Sequence, residues 1–131
     1  MQQTFKMVKK NIFSIIVAII IMYLSLTSSS TFEKIPIINI PNLDKIVHFG
    51  MYFGFMSVII FENRKMLKST RSLFLLALIP LLYGILMEIL QSALTTSRTG
   101  SFYDVVSNSF GILVSLLIWL SIKPSVKDKL R

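Results

Sequence analysis

The residues of this 131-residue chain that could do chemistry are single polar side chains set within apolar stretches. Glu88 is a carboxylate inside a run of leucine and isoleucine, and His48 is the chain's one histidine. A carboxylate and an imidazole suit general acid–base catalysis, contact with a phosphate group, or coordination of a cation. Both also have a structural interpretation, because a buried polar group is often satisfied by a neighbouring helix.

Further polar and small residues accompany these two at helical spacing. Intervals of three and four residues place the members of each set on one face of a helix. The three stripes are Asp44, His48 and Tyr52; Gly84, Glu88 and Gln91; and Asp104, Asn108, Gly111 and Ser115. In lipid, such stripes turn toward other helices or a wet cavity, and their small residues allow close packing.

Helix capping is an alternative explanation for both aspartates. Ser101-x-x-Asp104 matches a capping box, and Asn42 is a suitable cap for a helix with Asp44 in its first turn. An acidic side chain at either position also interacts favourably with the helix dipole. Glu88 has no such explanation within an apolar run, so it is the strongest functional candidate.

The elements that position these residues are predicted to be membrane helices. The chain is 53% hydrophobic and 15% charged, and its mean hydropathy of +0.71 is too high for a soluble domain of this size. Four apolar stretches approach the roughly 20 residues that cross a bilayer. We therefore predict an all-α integral membrane bundle in one domain, 1–131, with spans at about 11–27, 45–61, 72–94 and 102–122.

The first span has a second interpretation, because lysines precede a short apolar run that ends in serines, as in a secretory signal peptide. With the amino terminus in the cytoplasm, eleven Lys and Arg residues lie inside and three, Lys34, Lys45 and Arg98, lie outside. This bias predicts cytoplasmic termini and puts the polar stripes in the outer leaflet. The net charge of +8 forms no basic stripe with interleaved aromatics, so no nucleic acid partner is expected.

The pattern resembles the VanZ-like family of small bacterial membrane proteins. The motifs that carry the resemblance are Tyr23-Leu24-Ser25, Asp44-Lys45-x-x-His48-x-x-x-Tyr52, Glu88-x-x-Gln91, and Arg98 followed by Ser101-x-x-Asp104-x-x-x-Asn108-x-x-Gly111. The resemblance implies a multi-pass protein of the bacterial cytoplasmic membrane, associated in some members with lowered susceptibility to teicoplanin. Many relatives carry acidic residues at the positions of Met87 and Asn108, which weakens a multi-carboxylate mechanism in this chain.

Two functions of different classes follow. In the first, an outer-leaflet pocket binds an amphiphile, such as a lipid-linked envelope precursor or a lipoglycopeptide, and its candidate residues are Asp44, Lys45, His48, Tyr52, Glu88, Gln91, Arg98, Asp104 and Asn108. In the second, an intramembrane hydrolase or transferase uses Glu88, His48 and Asp104 as catalytic residues. A proton-coupled transporter ranks third.

No cofactor is predicted, and whether the protein is an enzyme stays open. A metal held by His48, Glu88 and Asp104 is a variant of the enzyme hypothesis. It is not among the predicted sites, because three single residues on separate helices lack the spacing of a metal motif. The expected partners are membrane lipids and the bound amphiphile, and the sequence does not indicate an oligomeric state.

Overall fold

A computed structural model of the protein describes residues 1–26, 43–94 and 102–122, with only the backbone of Leu43 and Asp44. These residues form five α-helices and no strand: α1 (Gln2–Lys10), α2 (Ile12–Leu26), α3 (Leu43–Asn63), α4 (Thr70–Leu94) and α5 (Phe102–Ile122). The predicted all-α fold is confirmed.

Three helices of the described chain are long and apolar enough to cross a membrane: α3 over Lys45–Asn63, α4 over Thr70–Leu94 and α5 over Phe102–Ile122. The fourth candidate is α1 and α2 taken together, with a bend of 69° between them. At 1.5 Å per residue α2 alone is only about 22 Å long, which is less than the ~30 Å hydrocarbon layer. The described helices therefore supply three or four spans.

Contacts between the helices define an up-and-down bundle. Ser57 Oγ lies 2.8 Å from Ser115 Oγ, and Lys45 Nζ lies 2.7 Å from Asp104 Oδ1. Positions in α3 and α5 therefore rise together, so these two helices are parallel. Ser14 near the start of α2 contacts Glu62 near the end of α3, and Glu88 near the end of α4 lies beside His48 near the start of α3. The helices α2 and α4 therefore run antiparallel to the first pair. As a result, the start of α2 and the end of α5 lie at the same end of the bundle.

Polar side chains fix the helix ends at that side. Glu62 of α3 accepts hydrogen bonds from the Phe13 amide (2.7 Å) and the Ser14 hydroxyl (2.8 Å), so it caps the first turn of α2. Asn63 Nδ2 donates to Asn11 Oδ1 at 2.8 Å, directly at the bend between α1 and α2. Ser69 Oγ accepts from the Ser72 amide at 3.1 Å and caps α4.

The closest packing in the described bundle is between α3 and α5. A Cβ added to Gly111 would lie 2.3 Å from the Phe49 carbonyl oxygen and 2.9 Å from the Phe53 amide nitrogen, both backbone atoms. Glycine is therefore required where these two backbones meet. Tyr52, Met56 and Ile112 are buried around this crossing, whereas many large apolar side chains face outward, as expected of a bundle whose solvent is lipid.

Candidate functional site

A buried polar cluster lies at the end of the bundle where α3 and α5 begin and α4 ends. We call the polar cluster the side chains of Lys45, His48, Glu88, Asp104 and Asn108. His48 is 3% exposed, Glu88 7%, Asp104 5% and Asn108 1%. All were predicted site residues, and the structure brings them together from three helices.

His48 is at the centre of the polar cluster. Its Nδ1 lies 3.1 Å from Asn108 Oδ1 and 3.6 Å from Glu88 Oε1, while its Nε2 lies 4.0 Å from Asp104 Oδ2. The amide oxygen of Asn108 can only accept, so this pairing assigns a proton to Nδ1. His48 therefore contacts α4 through Nδ1 and α5 through both ring nitrogens.

Asp104 connects the histidine to a cation. Its Oδ1 accepts a hydrogen bond from Lys45 Nζ at 2.7 Å, and its Oδ2 faces the ring of His48. Lys45 is the one partly exposed member of the pair, with 31% of its side chain accessible against 7% for Asp104. The acid thus sits in the first turn of α5, where capping was one explanation, and also forms an ion pair within the polar cluster.

Tyr52 and Asn108 meet over Gly84, one turn before Glu88 on α4. From the position that a Gly84 Cβ would take, Asn108 Nδ2 is 3.1 Å away and the Tyr52 ring is 3.1 Å away. Both residues are 1% exposed. Within the described chain, neither the Tyr52 hydroxyl nor Asn108 Nδ2 has a hydrogen-bond partner. Two buried polar groups, one in the polar cluster and one beside it, thus retain hydrogen-bonding capacity.

The remaining predicted site residues are placed differently. Gln91 is buried, and its Nε2 donates to the Ser25 carbonyl of α2 at 2.7 Å, so this contact holds α4 against α2. The backbone of Asp44 lies in α3 at the same end of the bundle, but its side chain is outside the described residues. Arg98 also lies outside the described residues.

A groove between α4 and α5 reaches the polar cluster from the side of the bundle. It is a largely open groove with a volume of about 500 Å³, and its lining residues are Ile85, Glu88, Ile89, Ser92, Ala93, Phe102 and Val105. This volume is within the range of small-molecule sites, roughly 300–1,000 Å³. The walls are mostly apolar, and among the residues that the structure describes Glu88 is the one ionisable residue that lines the groove.

The sequence did not identify this groove. Its apolar lining residues are of the same types as those that face lipid elsewhere on α4 and α5, so composition cannot separate them. The available signal was Ser92, one residue after Gln91, together with Ala93 in the last turn of α4. Small side chains near a helix end leave space between neighbouring helices.

A comparison with known protein families identifies the family of the chain. A family model described as VanZ/LLP1 matches residues 2–123. The chain belongs to the VanZ/LLP1 family. In this VanZ/LLP1 protein the match runs from α1 to the end of α5 and so includes every helix that contributes to the polar cluster. The resemblance noted from the sequence motifs is therefore confirmed, as is a multi-pass membrane protein. No curated protein and no solved structure matched the chain.

Proposed function

We propose that this VanZ/LLP1 protein binds an amphiphile, with the apolar chain in the groove and the polar head at the polar cluster. One observation carries the proposal: Glu88 belongs to both. Its Oε1 lies 3.6 Å from His48 Nδ1 inside the bundle, and the same residue lines the groove that opens between α4 and α5. An acyl or prenyl chain reaches such a groove directly from the membrane, without crossing water.

The composition of the polar cluster suits a head group with both acceptors and donors. Lys45 and His48 can contact a phosphate or carboxylate, while Glu88 and Asp104 orient those two side chains and accept from hydroxyl or amide groups. Lipid-linked precursors of the cell envelope and lipoglycopeptides such as teicoplanin both combine an acyl or prenyl chain with such a head. We place this site in the outer leaflet of the bacterial cytoplasmic membrane, on the distribution of Lys and Arg.

A second function is favoured by the approach of His48 to Glu88. A carboxylate and an imidazole 3.6 Å apart, beside a groove, form a plausible acid–base pair for a hydrolase or transferase. Glu88 would act as the base, with His48 as the acid and Asp104 beside it. Binding and catalysis would hold the head group at the same position. They differ in whether the ligand is released unchanged or converted to a product.

The test is teicoplanin susceptibility of a bacterial host that expresses wild type, Glu88→Gln, Glu88→Ala and Ala93→Phe at matched membrane levels. Ala93→Phe fills the groove, and Leu82→Phe is its matched control, because Leu82 is 61% exposed on the same helix but does not line the groove. We expect protection from wild type and Leu82→Phe and its loss with Glu88→Ala and Ala93→Phe. Equal protection from all variants would contradict the proposal.

Glu88→Gln distinguishes the two functions. An amide keeps the shape and the hydrogen bonds of the side chain but cannot take a proton, so a binding protein should retain part of its protection. An enzyme that uses Glu88 as its base should lose turnover while still binding the ligand. A lipid-linked product formed by purified wild type and absent with Glu88→Gln would establish catalysis in place of binding alone.

A further inference from the structure

Three side chains of the polar cluster form a set of metal-ligand atoms. One atom each from His48, Glu88 and Asp104 can be chosen so that all three lie within 4.8 Å of one another. The three residues come from α3, α4 and α5 respectively, and all are buried. The sequence argued against a metal site because each helix supplies a single candidate ligand. In the structure, packing of the three helices brings these ligands together.

We infer that His48, Glu88 and Asp104 bind a divalent cation of the zinc class. One imidazole nitrogen with two carboxylate oxygens is a donor set that Zn²⁺ accepts, and three protein ligands leave a position for water or a substrate oxygen. With metal–ligand distances of about 2.1 Å, tetrahedral geometry places ligand atoms roughly 3.4 Å apart. The 3.6 Å between His48 Nδ1 and Glu88 Oε1 already approaches that separation. Coordination through Nδ1 requires the imidazole tautomer that carries its proton on Nε2, so the ion would replace the hydrogen bond between Nδ1 and Asn108 Oδ1.

Lys45 is compatible with this ion because it uses the other oxygen of Asp104. Its Nζ contacts Oδ1, whereas Oδ2 faces the ring of His48. The ionisable side chains described in the polar cluster comprise two carboxylates, one ammonium and one imidazole. With a neutral imidazole their formal charge is −1, and a divalent ion changes it to +1. The ion therefore converts the cluster from repelling an anion to attracting one.

The two unpartnered polar groups supply an independent indication of a ligand. The Tyr52 hydroxyl and Asn108 Nδ2 are buried and lack hydrogen-bond partners in the described chain, and both belong to side chains that pack over Gly84. Asn108 also contacts His48 through its Oδ1, so its free donor is on the same small amide group. Donors at this position would hold a water molecule or an anionic oxygen bound to the ion.

The inference deepens the proposed function and rests on it for the role of the ion. A cation at the polar cluster would bind the phosphate or carboxylate oxygen of the amphiphile while the chain occupies the groove. This narrows the expected head group to an anionic one.

The experiment measures zinc alone. Purified full-length protein in nanodiscs is stripped with a chelator, equilibrated with Zn²⁺ and analysed for bound metal, and the affinity is obtained by competition with a chromophoric chelator. We expect one zinc per chain for wild type, and at least an approximately 10-fold weaker affinity for His48→Gln, Glu88→Gln and Asp104→Asn. Glu62→Gln is the matched control, because this carboxylate caps α2 at the opposite end of the bundle and should leave zinc affinity unchanged.

A second measurement uses only the wild-type protein, so it tests the inference even if the cluster variants fail to fold. Co²⁺ bound to wild type should give the intense visible absorption of a four-coordinate site, and Zn²⁺ should displace it. No stoichiometric zinc in wild type, a Co²⁺ spectrum like that of the aqueous ion, or equal affinity in folded cluster variants would overturn the inference. A protein that binds an amphiphile but no zinc would refute the zinc site and leave the proposed function intact. A protein that binds zinc but fails to bind any amphiphile would refute only the proposed function.

Discussion

Replacing Gly111 by alanine should separate α3 from α5 and disturb the polar cluster. The added Cβ would lie 2.3 Å from the Phe49 carbonyl oxygen, and ordinary van der Waals contact begins near 3.4 Å, so the gap must widen by 3.4 − 2.3 = 1.1 Å. Both close neighbours are backbone atoms, which no side-chain rotation can move away. Asn108 lies one turn earlier on α5, so the same displacement lengthens its 3.1 Å contact with His48.

The expected change in the free energy of unfolding combines two opposing contributions, overpacking and helix propensity. Overpacking of a close contact costs about 1–3 kcal/mol, while alanine gains roughly 0.5–1 kcal/mol over glycine in a helix. Gly54 on α3 is the matched control, because a Cβ there meets nothing within 4 Å and only the helix gain applies. We take about 1–3 kcal/mol as the net destabilisation of Gly111→Ala. Gly54→Ala should gain roughly 0.5–1 kcal/mol from its helix propensity, so the two variants should differ in unfolding free energy by about 1.5–4 kcal/mol.

The assay is reversible unfolding in mixed micelles, followed by the fluorescence of Trp119, the chain's one tryptophan. Zinc affinity of the folded variants gives a second readout, which should fall for Gly111→Ala and remain at the wild-type value for Gly54→Ala. If the two alanine variants unfold at the same point and bind zinc equally, the close approach of α3 and α5 is not what positions the polar cluster.

Three further predictions concern other contacts. Tyr52→Phe removes a buried hydroxyl without a partner in the described chain, so it should stabilise the bundle by about 1 kcal/mol in micelle unfolding yet weaken amphiphile binding; lower stability would refute this. Gly84→Ala brings a Cβ to 3.1 Å from Asn108 Nδ2, and because side chains can yield by a few tenths of an ångström, it should weaken zinc binding with less than about 1 kcal/mol of destabilisation. Glu62→Ala removes the cap of α2 and should cost about 0.5–2 kcal/mol in the same assay while zinc affinity stays unchanged. A zinc affinity that falls in parallel would link the two ends of the bundle.

Most of the helical architecture could be predicted from hydropathy. The predicted spans at about 45–61, 72–94 and 102–122 match α3, α4 and α5 to within two residues at each end, because long apolar runs in lipid have few alternatives to a helix. The bend between α1 and α2 was not predicted. It depends on Glu62 and Asn63, which come from α3 and cap or contact the chain at that point.

The members of the polar cluster could be predicted from the sequence, but their geometry could not. Helical periodicity placed His48, Glu88 and Asp104 on the polar stripes of three helices, but only packing determines that they converge. Gln91 shares the stripe of Glu88 yet donates to Ser25, because the stripe is wide enough to face α2 as well as α3. The groove could not be predicted from the sequence, because side chains that face lipid and side chains that line a groove for an acyl chain are of the same apolar types.

The most direct test of the shared site is photo-crosslinking in living cells. A photoreactive phenylalanine analogue replaces Phe102, which lines the groove, or Phe110, which is 55% exposed on the same helix outside it. Captured molecules are identified by mass spectrometry, with and without Glu88→Ala. We predict that position 102 captures a defined anionic amphiphile above bulk phospholipid, that position 110 does not, and that Glu88→Ala abolishes the enrichment. Capture of the same bulk phospholipids at both positions, unaffected by Glu88→Ala, would contradict the account.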